Sequence, residues 1–239
     1  MLEKVTITGA DDATPIEALV DLTAEFPFVE WGILVSLRSE GSSRFPSRVW
    51  MASFAEKVEN KEVSVSMHVC GQWVRDLLRG KLEWNILPPD IWAVAGRVQI
   101  NTHAQEHIST CAAIDWIARH RHKQFIFQLD QVNDHIFDAA SYCKLSVAGL
   151  FDCSHGAGTL PDQWPMVCDN RKYGYAGGLG PANVVEQVNT LNRLRLGPGL
   201  LETPYWIDME GRVRDEEEHL DLVKVRKVLE SCVPLVNQK

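Results

Sequence analysis

The stretch KYGYAGGLGPANVVEQVNTLNRL, residues 172–194, contains one complete strand, turn and helix. Lys172 to Ala176 is rich in tyrosine and small residues, and this predicts a buried strand. The pair Gly177-Gly178 permits a tight turn, and the apolar spacing from Ala182 to Leu194 predicts a helix. A strand that passes directly into a helix is the repeating unit of parallel sheets.

The same unit recurs along the whole chain. Seven further strands are predicted near residues 5, 33, 66, 98, 126, 148 and 207, each followed by a helix or by a loop with room for one. Eight units in 239 residues fit a closed (β/α)₈ barrel better than an open doubly wound sheet. No linker or change of composition interrupts them. We therefore predict an α/β fold, a single TIM barrel domain over residues 1–239.

The element bounds follow from the same patterns. The predicted strands are Lys4–Thr8, Trp31–Ser36, Glu62–Val69, Ala95–Asn101, Gln124–Leu129, Leu145–Phe151, Lys172–Ala176 and Tyr205–Met209. The predicted helices are Pro15–Ala24, Ser47–Val58, Gln72–Arg79, Gln105–Arg119, Asp134–Cys143, Ala182–Leu194 and His219–Glu230. Thr14 is the expected N-cap of the first helix, Gly80–Asp90 is predicted as a connection, and Glu216–Glu218 as the solvated start of the last helix.

Composition excludes several classes of protein. The chain is 45% apolar and 23% charged, which is ordinary for a globular protein. Its net charge of −8 opposes nucleic-acid binding. Its most apolar stretches, such as Trp31–Ser36 and Ile91–Ala95, are too short to span a membrane. We therefore expect a cytoplasmic protein that binds neither nucleic acid nor a membrane. Six cysteines without a Cys-x-x-Cys pair indicate neither a zinc site nor a redox motif, and we expect them to be reduced and mostly buried.

Functional groups in such a barrel come from the carboxyl ends of the strands and the loops that follow. Asp152 ends the sixth strand before a glycine-rich loop, where partial desolvation would favour the protonated form that a general acid needs. His155 lies in that loop. The strand-end rule selects these polar or glycine positions: Thr8, Asp11, Asp12, Ser36, Arg38, Arg44, His68, Cys70, Asn101, His103, Gln128, Asp130, Asp152, His155, Gly177, Gly178, Asp208, Glu210, Gly211 and Arg212.

The glycine pair and the histidines suggest two kinds of ligand. Backbone N–H groups at Gly177 and Gly178, just before a helix, could hold an anion. The pairs His103/His107 and His120/His122 have no third ligand at suitable spacing. We therefore expect no metal and no cofactor.

Several strand-end segments carry family motifs. Ala176 to Val184 is close to the pattern Gly-Gly-Leu-x-Pro-x-Asn-Val, and Leu150 to Cys153 is similar to Leu-Leu-Asp-Thr. Together the strand ends resemble phosphoribosylanthranilate isomerase, a small (β/α)₈ enzyme of tryptophan biosynthesis, over nearly the whole chain. Further similar segments are Val5–Gly9, Arg44-Phe45, Val98–His103, the Gly156, Gly158 and Thr159 positions, and Ile207–Val213.

The resemblance implies a barrel of the ribulose-phosphate-binding type and an Amadori-type aldose–ketose isomerisation of a sugar phosphate or related carbonyl compound. In that reaction an acid protonates the furanose ring oxygen, and a base removes the proton from C2′. The family's acid falls on Asp152, and its phosphate site falls on Gly177, Gly178 and Gly211. The candidate substrate or phosphate-binding residues are Arg44, Asn101, His155, Gly177, Gly178, Glu210, Gly211 and Arg212.

Two departures from the family pattern bear on the chemistry. Thr8 stands where the family has its basic cysteine, and a hydroxyl is too weakly acidic to replace it unaided. The candidates for a displaced base are His68, Cys70 and Asp11. Glu210 replaces a serine that would face phosphate, which is repulsive unless Arg212 or Arg214 neutralises it.

Three hypotheses remain open on sequence alone. The first is an isomerase of the chemistry just described, with Asp152 as acid. The second is a different barrel enzyme, a lyase or epimerase acting on a substrate without phosphate. The third is a barrel that binds a ligand without catalysis. In each case we expect a small anionic or sugar-like ligand and a monomer or homodimer.

Overall fold

A computed structural model describes residues 1–79, 87–101, 109–129, 134–152, 158–194 and 203–236. Eight parallel strands, β1 to β8, pair in chain order, and β8 pairs with β1 to close a barrel. The predicted (β/α)₈ fold is therefore confirmed. The strands are Leu2–Thr8, Val29–Val35, Ser64–Val69, Arg97–Ile100, Gln124–Gln128, Val147–Asp152, Tyr173–Ala176 and Tyr205–Met209.

Helices pack around the barrel and bury their apolar faces against it. The described α-helices, α1 to α8, are Ile16–Glu25, Arg48–Val58, Gln72–Leu78, Pro89–Val94, Thr110–Arg119, Asp134–Tyr142, Val184–Leu194 and Leu222–Cys232. A short 3₁₀ helix, Gly211–Val213, follows β8. The predicted helices are found with shifts of a few residues at their ends, and positions 105–108 of the predicted helix Gln105–Arg119 lie outside the described residues. Helix α4 is an addition that the sequence does not predict.

Three local predictions were wrong, for reasons of local bonding. The segment Pro89–Val94 is helical, with proline at its first turn, although its start was read as part of a connection. Thr14 does not cap α1, because its hydroxyl accepts from the Asp11 N–H at 3.1 Å instead. The acidic run ending at Glu218 precedes α8 and lies outside it: that helix begins at Leu222 and is capped by Asp221, which accepts from the N–H groups of its first turn.

Cysteine burial also differs from expectation. Of the described cysteines only Cys232 is buried, and Cys70 is partly buried, whereas Cys111, Cys143 and Cys168 are exposed on the outer surface. Within the described part of the chain, no helix is both long and apolar enough to cross a membrane.

The inside of the barrel is divided into an apolar half and a polar half. On the β5 to β8 side, a cluster separate from the main core contains Ile126, Ala148, Leu150, Ala176 and Trp206. The opposite side carries buried polar side chains, namely Thr6, Thr8, Glu30, Ser66, His68, Arg97 and Gln99. Branched apolar residues dominate most barrel interiors, so this polar half is unusual. It extends to the carboxyl ends of the strands, where it becomes the floor of a cavity.

A buried ion pair lies among these polar side chains inside the barrel. Arg97 donates to the Glu30 carboxylate at 2.6 Å, and Thr6 donates to the same oxygen at 2.9 Å. The Arg97 guanidinium lies 4.3 Å from the ring centroid of Trp206, a cation–π distance. These contacts neutralise Glu30, whose pKa burial would raise but the charges of Arg97 and Lys4 hold below its usual value.

Candidate functional site

A cavity of about 600 Å³ opens at the carboxyl ends of the strands, a size typical of small-molecule sites. Every described residue of the sequence-predicted site lines it: Thr8, Arg44, His68, Cys70, Asn101, Asp152, Gly177, Gly178, Glu210, Gly211 and Arg212. His155 lies outside the described residues. The strand-end rule therefore brings together side chains that are up to about 200 positions apart in the sequence, as the barrel fold requires.

Thr8 and Asp208 form a buried pair in the cavity wall. The Thr8 hydroxyl donates to Asp208 Oδ1 at 2.7 Å, and both side chains are almost completely buried. Burial raises the pKa of Asp208 to about 7, and the carboxylates of Glu210, Glu30 and Asp152 add to the rise. Only the Thr8 hydrogen bond opposes it. This carboxyl is therefore close to half-ionised at neutral pH.

The floor beside this pair is shaped by a glycine. A Cβ on Gly32 would lie 2.3 Å from Thr8 Oγ1 and 2.9 Å from His68 Cε1, which no real contact allows. Because this position on β2 has no side chain, the Thr8 and His68 side chains can both turn into the barrel. Any substitution of Gly32 would displace them.

His68 on β3 and Cys70, which comes directly after this strand, both line the cavity and are held in uncharged forms. Burial lowers the pKa of His68 to about 3, so its imidazole is neutral and only weakly basic. Burial also raises the pKa of Cys70 to about 12, and Asn101 Nδ2 donates to its sulfur at 3.2 Å. Cys70 is therefore a thiol at neutral pH, whereas proton abstraction needs a thiolate.

Three buried polar atoms on the cavity floor have no partner among the described residues: His68 Nε2, Gln99 Oε1 and Gln128 Oε1. Their residues all line the cavity. A buried polar atom without a hydrogen bond costs free energy, so these atoms are suited to a ligand or water that carries donors. The floor is thus built for a group with hydroxyl or N–H donors rather than for an apolar one.

Backbone N–H groups line the β7 side of the cavity. Among the described residues, no group accepts a hydrogen bond from the N–H groups of Gly177 and Gly178. Asn183 holds their turn, because it donates to the Gly178 carbonyl and accepts from the Gly180 N–H, each at 2.9 Å. Gly178 has φ +63°, and a Cβ there would lie 2.5 Å from the Leu160 nitrogen. The turn fits an anion on electrostatic grounds.

The charges at the mouth are largely paired. Arg44 bonds both Glu210, at 3.3 Å, and Glu218. Arg214 is buried and also reaches Glu210 at 3.3 Å, while donating to the Glu218 carbonyl at 2.8 Å. Glu210 is therefore neutralised by Arg44 and Arg214 rather than by Arg212. Arg212 is exposed, and its guanidinium contacts no carboxylate in the described part of the chain.

Asp11 ties three loops together behind the mouth. Its Oδ2 accepts from the Arg44 N–H at 3.1 Å and lies 2.9 Å from His219 Nδ1. Its Oδ1 accepts from the Ala13 N–H at 3.1 Å. Through these contacts Asp11 holds together the loops after β1, β2 and β8. It does not line the cavity.

The remaining sequence-predicted ligands do not join this site. His120 and His122 pack around Trp92 on the outside of the barrel, and His103 and His107 lie outside the described residues. Among the described residues, no group of three or more His, Cys, Asp or Glu side chains could hold a metal.

Three residues that line the cavity were given no role from the sequence. Asp208 and Gln128 satisfy the strand-end rule, but that rule does not show which of the selected residues are buried. Gln99 was not selected, although it lies two residues before Asn101 on one strand, and alternate strand residues share a face. That spacing was the available signal.

These features define a closed (β/α)₈ barrel with a polar cavity at the carboxyl ends of its strands. Among solved structures, the chain is similar to N-(5′-phosphoribosyl)anthranilate isomerase from Pyrococcus furiosus, with a TM-score of 0.54 and 15% identity over 95% of this chain and 97% of that chain.

Two further solved structures match with lower scores. Phosphoribosyl anthranilate isomerase from Thermococcus kodakaraensis has a TM-score of 0.48 at 14% identity, covering 97% of this chain and 99% of that one. Phospho-2-dehydro-3-deoxyheptonate aldolase from Thermotoga maritima has a TM-score of 0.49 at 14% identity, covering 98% of this chain and 69% of that one. No family model and no curated protein matches the chain.

Proposed function

We propose that this protein is an aldose–ketose isomerase of the Amadori type that acts on a sugar phosphate or a related carbonyl compound. The observation that carries the proposal is the cavity itself, which combines two carboxyl groups, Asp152 and Asp208, with the N–H groups of Gly177 and Gly178, to which no described residue offers an acceptor. The two carboxyl groups can donate and accept protons during the isomerisation. The backbone N–H groups before a helix can hold the phosphate of the substrate. The polar floor supplies partners for sugar hydroxyls.

In this proposal Asp152 is the general acid that opens the sugar ring. It ends β6, lines the cavity and accepts a hydrogen bond from Gln128 Nε2 at 3.3 Å. It donates a proton to the ring oxygen, and the C1–O bond breaks to give the open-chain form. The similarity to a phosphoribosylanthranilate isomerase fold supports this assignment without establishing the substrate.

Turnover of named aldose phosphates tests the function. Purified protein is mixed with N-(5′-phosphoribosyl)anthranilate and, separately, with 5-phosphoribose, and loss of the aldose is followed. We expect turnover of at least one compound and a fall of about 10²–10⁴-fold in kcat for Asp152→Asn, the usual contribution of a general acid. Asp115→Asn, an exposed change on α5, is the control and should retain full activity. Wild-type protein without turnover of either compound would refute the proposal.

The carboxylates at the mouth favour a second candidate, a lyase or epimerase acting on a substrate without phosphate. Glu210 and Glu218 form salt bridges with Arg44, whose guanidinium would otherwise be available to an anionic ligand. Binding of inorganic phosphate separates the two candidates. No measurable binding by wild-type protein in calorimetry, together with turnover of a non-phosphorylated sugar, would favour the second.

We predict that Glu210→Gln tightens the binding of inorganic phosphate several-fold. The change removes one negative charge at the cavity together with the salt bridges that Arg44 and Arg214 make to it, while Arg44 keeps its second partner, Glu218. Calorimetric titration at low salt gives the dissociation constant. Glu216→Gln makes the same change of net charge at an exposed position outside the cavity and is expected to leave binding unaltered. Equal effects of the two substitutions would mean that phosphate responds only to net charge.

A further inference from the structure

We propose that Asp208 is the general base of this reaction and that Thr8 is its positioning residue. The assignment rests on the proposed isomerase function and names the group that the sequence leaves unidentified. Thr8 stands where the resemblance calls for a basic cysteine. Its hydroxyl is bonded to a carboxyl group that can take a proton.

Two fully buried carboxyl groups in the same barrel differ in their surroundings. Glu30 is paired with Arg97 at 2.6 Å and does not line the cavity. Asp208 lines the cavity, and within the described residues no cation lies within ion-pair distance of it. Among the described residues, the donor to its side chain is the neutral Thr8 hydroxyl. A buried carboxyl without a counter-ion is costly, and such groups concentrate at functional sites.

The other candidates for the base are less suited to the task. Cys70 is held as a thiol and His68 as a weakly basic imidazole, both because they are buried. Asp11 is held by the loop contacts and lies outside the cavity lining. Asp208 titrates near neutrality, where a general base works best.

The proton transfer can be written in full. Asp152 donates its proton to the ring oxygen as the C1–O bond breaks, which leaves an iminium or a protonated carbonyl at C1. The Asp208 carboxylate then takes the proton from C2, the C2–H electron pair forms the C1–C2 double bond, and the π pair at C1 moves onto the cationic nitrogen or oxygen and neutralises it. Asp208 returns its proton to C1 while the Asp152 carboxylate takes the proton from O2, which gives the ketose and restores both groups. No oxidant, reductant or metal is needed.

Thr8 acts by orienting the carboxyl group. Its hydrogen bond occupies Oδ1, and no described residue donates to Oδ2. The bond also favours the ionised form of Asp208 and so lowers its pKa. Thr8→Val keeps the shape of the side chain and removes the donor, whereas Thr8→Ser keeps the donor.

The experiment combines a titration without substrate and a pH profile with substrate. Carbon-13 NMR of aspartate carboxyls in the free protein should show one group titrating near pH 7 that is absent from Asp208→Asn and present in Asp115→Asn. With N-(5′-phosphoribosyl)anthranilate or 5-phosphoribose, Asp208→Asn should lose about 10²–10⁴-fold in kcat. The lower limb of the pH profile should move to higher pH in Thr8→Val and return in Thr8→Ser.

The outcomes separate this proposal from the one on which it rests. If wild-type protein turns over the aldose and Asp208→Asn retains more than about a tenth of kcat, Asp208 is not the base, although the isomerase function stands. If the carboxyl titrates near the ordinary aspartate value of about 4, the assignment also fails. If wild-type protein turns over neither compound while Asp208 still titrates near pH 7, both proposals fail, and the buried carboxyl serves another purpose.

Discussion

Replacing Arg97 with methionine is expected to lower the free energy of unfolding by about 3–5 kcal/mol, the usual cost of breaking a buried ion pair. The Glu30 carboxylate is completely buried and lies 2.6 Å from the guanidinium. Without Arg97 it keeps only the Thr6 hydroxyl at 2.9 Å and the more distant charge of Lys4. The guanidinium contact with the Trp206 ring is lost as well.

A double-mutant cycle identifies the cause of this loss. Glu30→Met alone should also be destabilising, because it leaves Arg97 buried without its partner. The double variant should lose much less than the sum of the two, since no buried charge remains. Urea unfolding gives the four free energies. Arg119→Met is the control, because its salt bridge to Asp115 lies on the exposed surface and is expected to contribute less than about 1 kcal/mol. Additive losses in the cycle would contradict this explanation.

The fold could be predicted because its signal is repeated. Each of the eight strands is a short apolar run followed by a turn, and in the β7 unit the Gly177-Gly178 pair lies between a strand and a helix that both appear as expected. The elements whose ends were predicted wrongly are those in which one local interaction determines where the helix begins. Pro89 can start a helix or continue a loop, and Asp221 caps α8 although three glutamates upstream offer an alternative start.

The sequence predicts which residues line the site, but it does not predict their protonation states or their hydrogen-bond partners. Strand-end position alone selects Thr8, His68, Cys70 and Asp208 equally. Their protonation depends on which of them finds a partner in three dimensions, and the Thr8 and Asp208 hydrogen bond joins residues 200 positions apart. The same holds at the mouth, where Glu210 is neutralised by Arg44 from the loop after β2, 166 positions away. Sequence patterns carry no signal for such pairings.

The Asp208 carboxyl predicts an unusual dependence of stability on pH. Its pKa is about 7 in the folded protein and about 4 in the unfolded chain. Between these values the folded state binds a proton that the unfolded state has released. The contribution of this group to stability therefore falls as the pH rises toward 7, and it is constant above that. The full difference of about 3 pH units corresponds to about 4 kcal/mol at pH 8.

Asp208→Asn removes this titration and isolates its effect. The difference in unfolding free energy between the variant and the wild type is expected to grow by about 2–3 kcal/mol, in favour of the variant, between pH 5 and pH 8. Urea unfolding at four pH values measures it, with Asp115→Asn as a carboxyl control that should show no such trend. A pH-independent difference would mean that Asp208 titrates alike in both states. If Asp208 is the general base, Asp208→Asn should gain stability and lose turnover. Both effects have one cause, because the carboxylate without a counter-ion destabilises the barrel and is also the group that takes the proton.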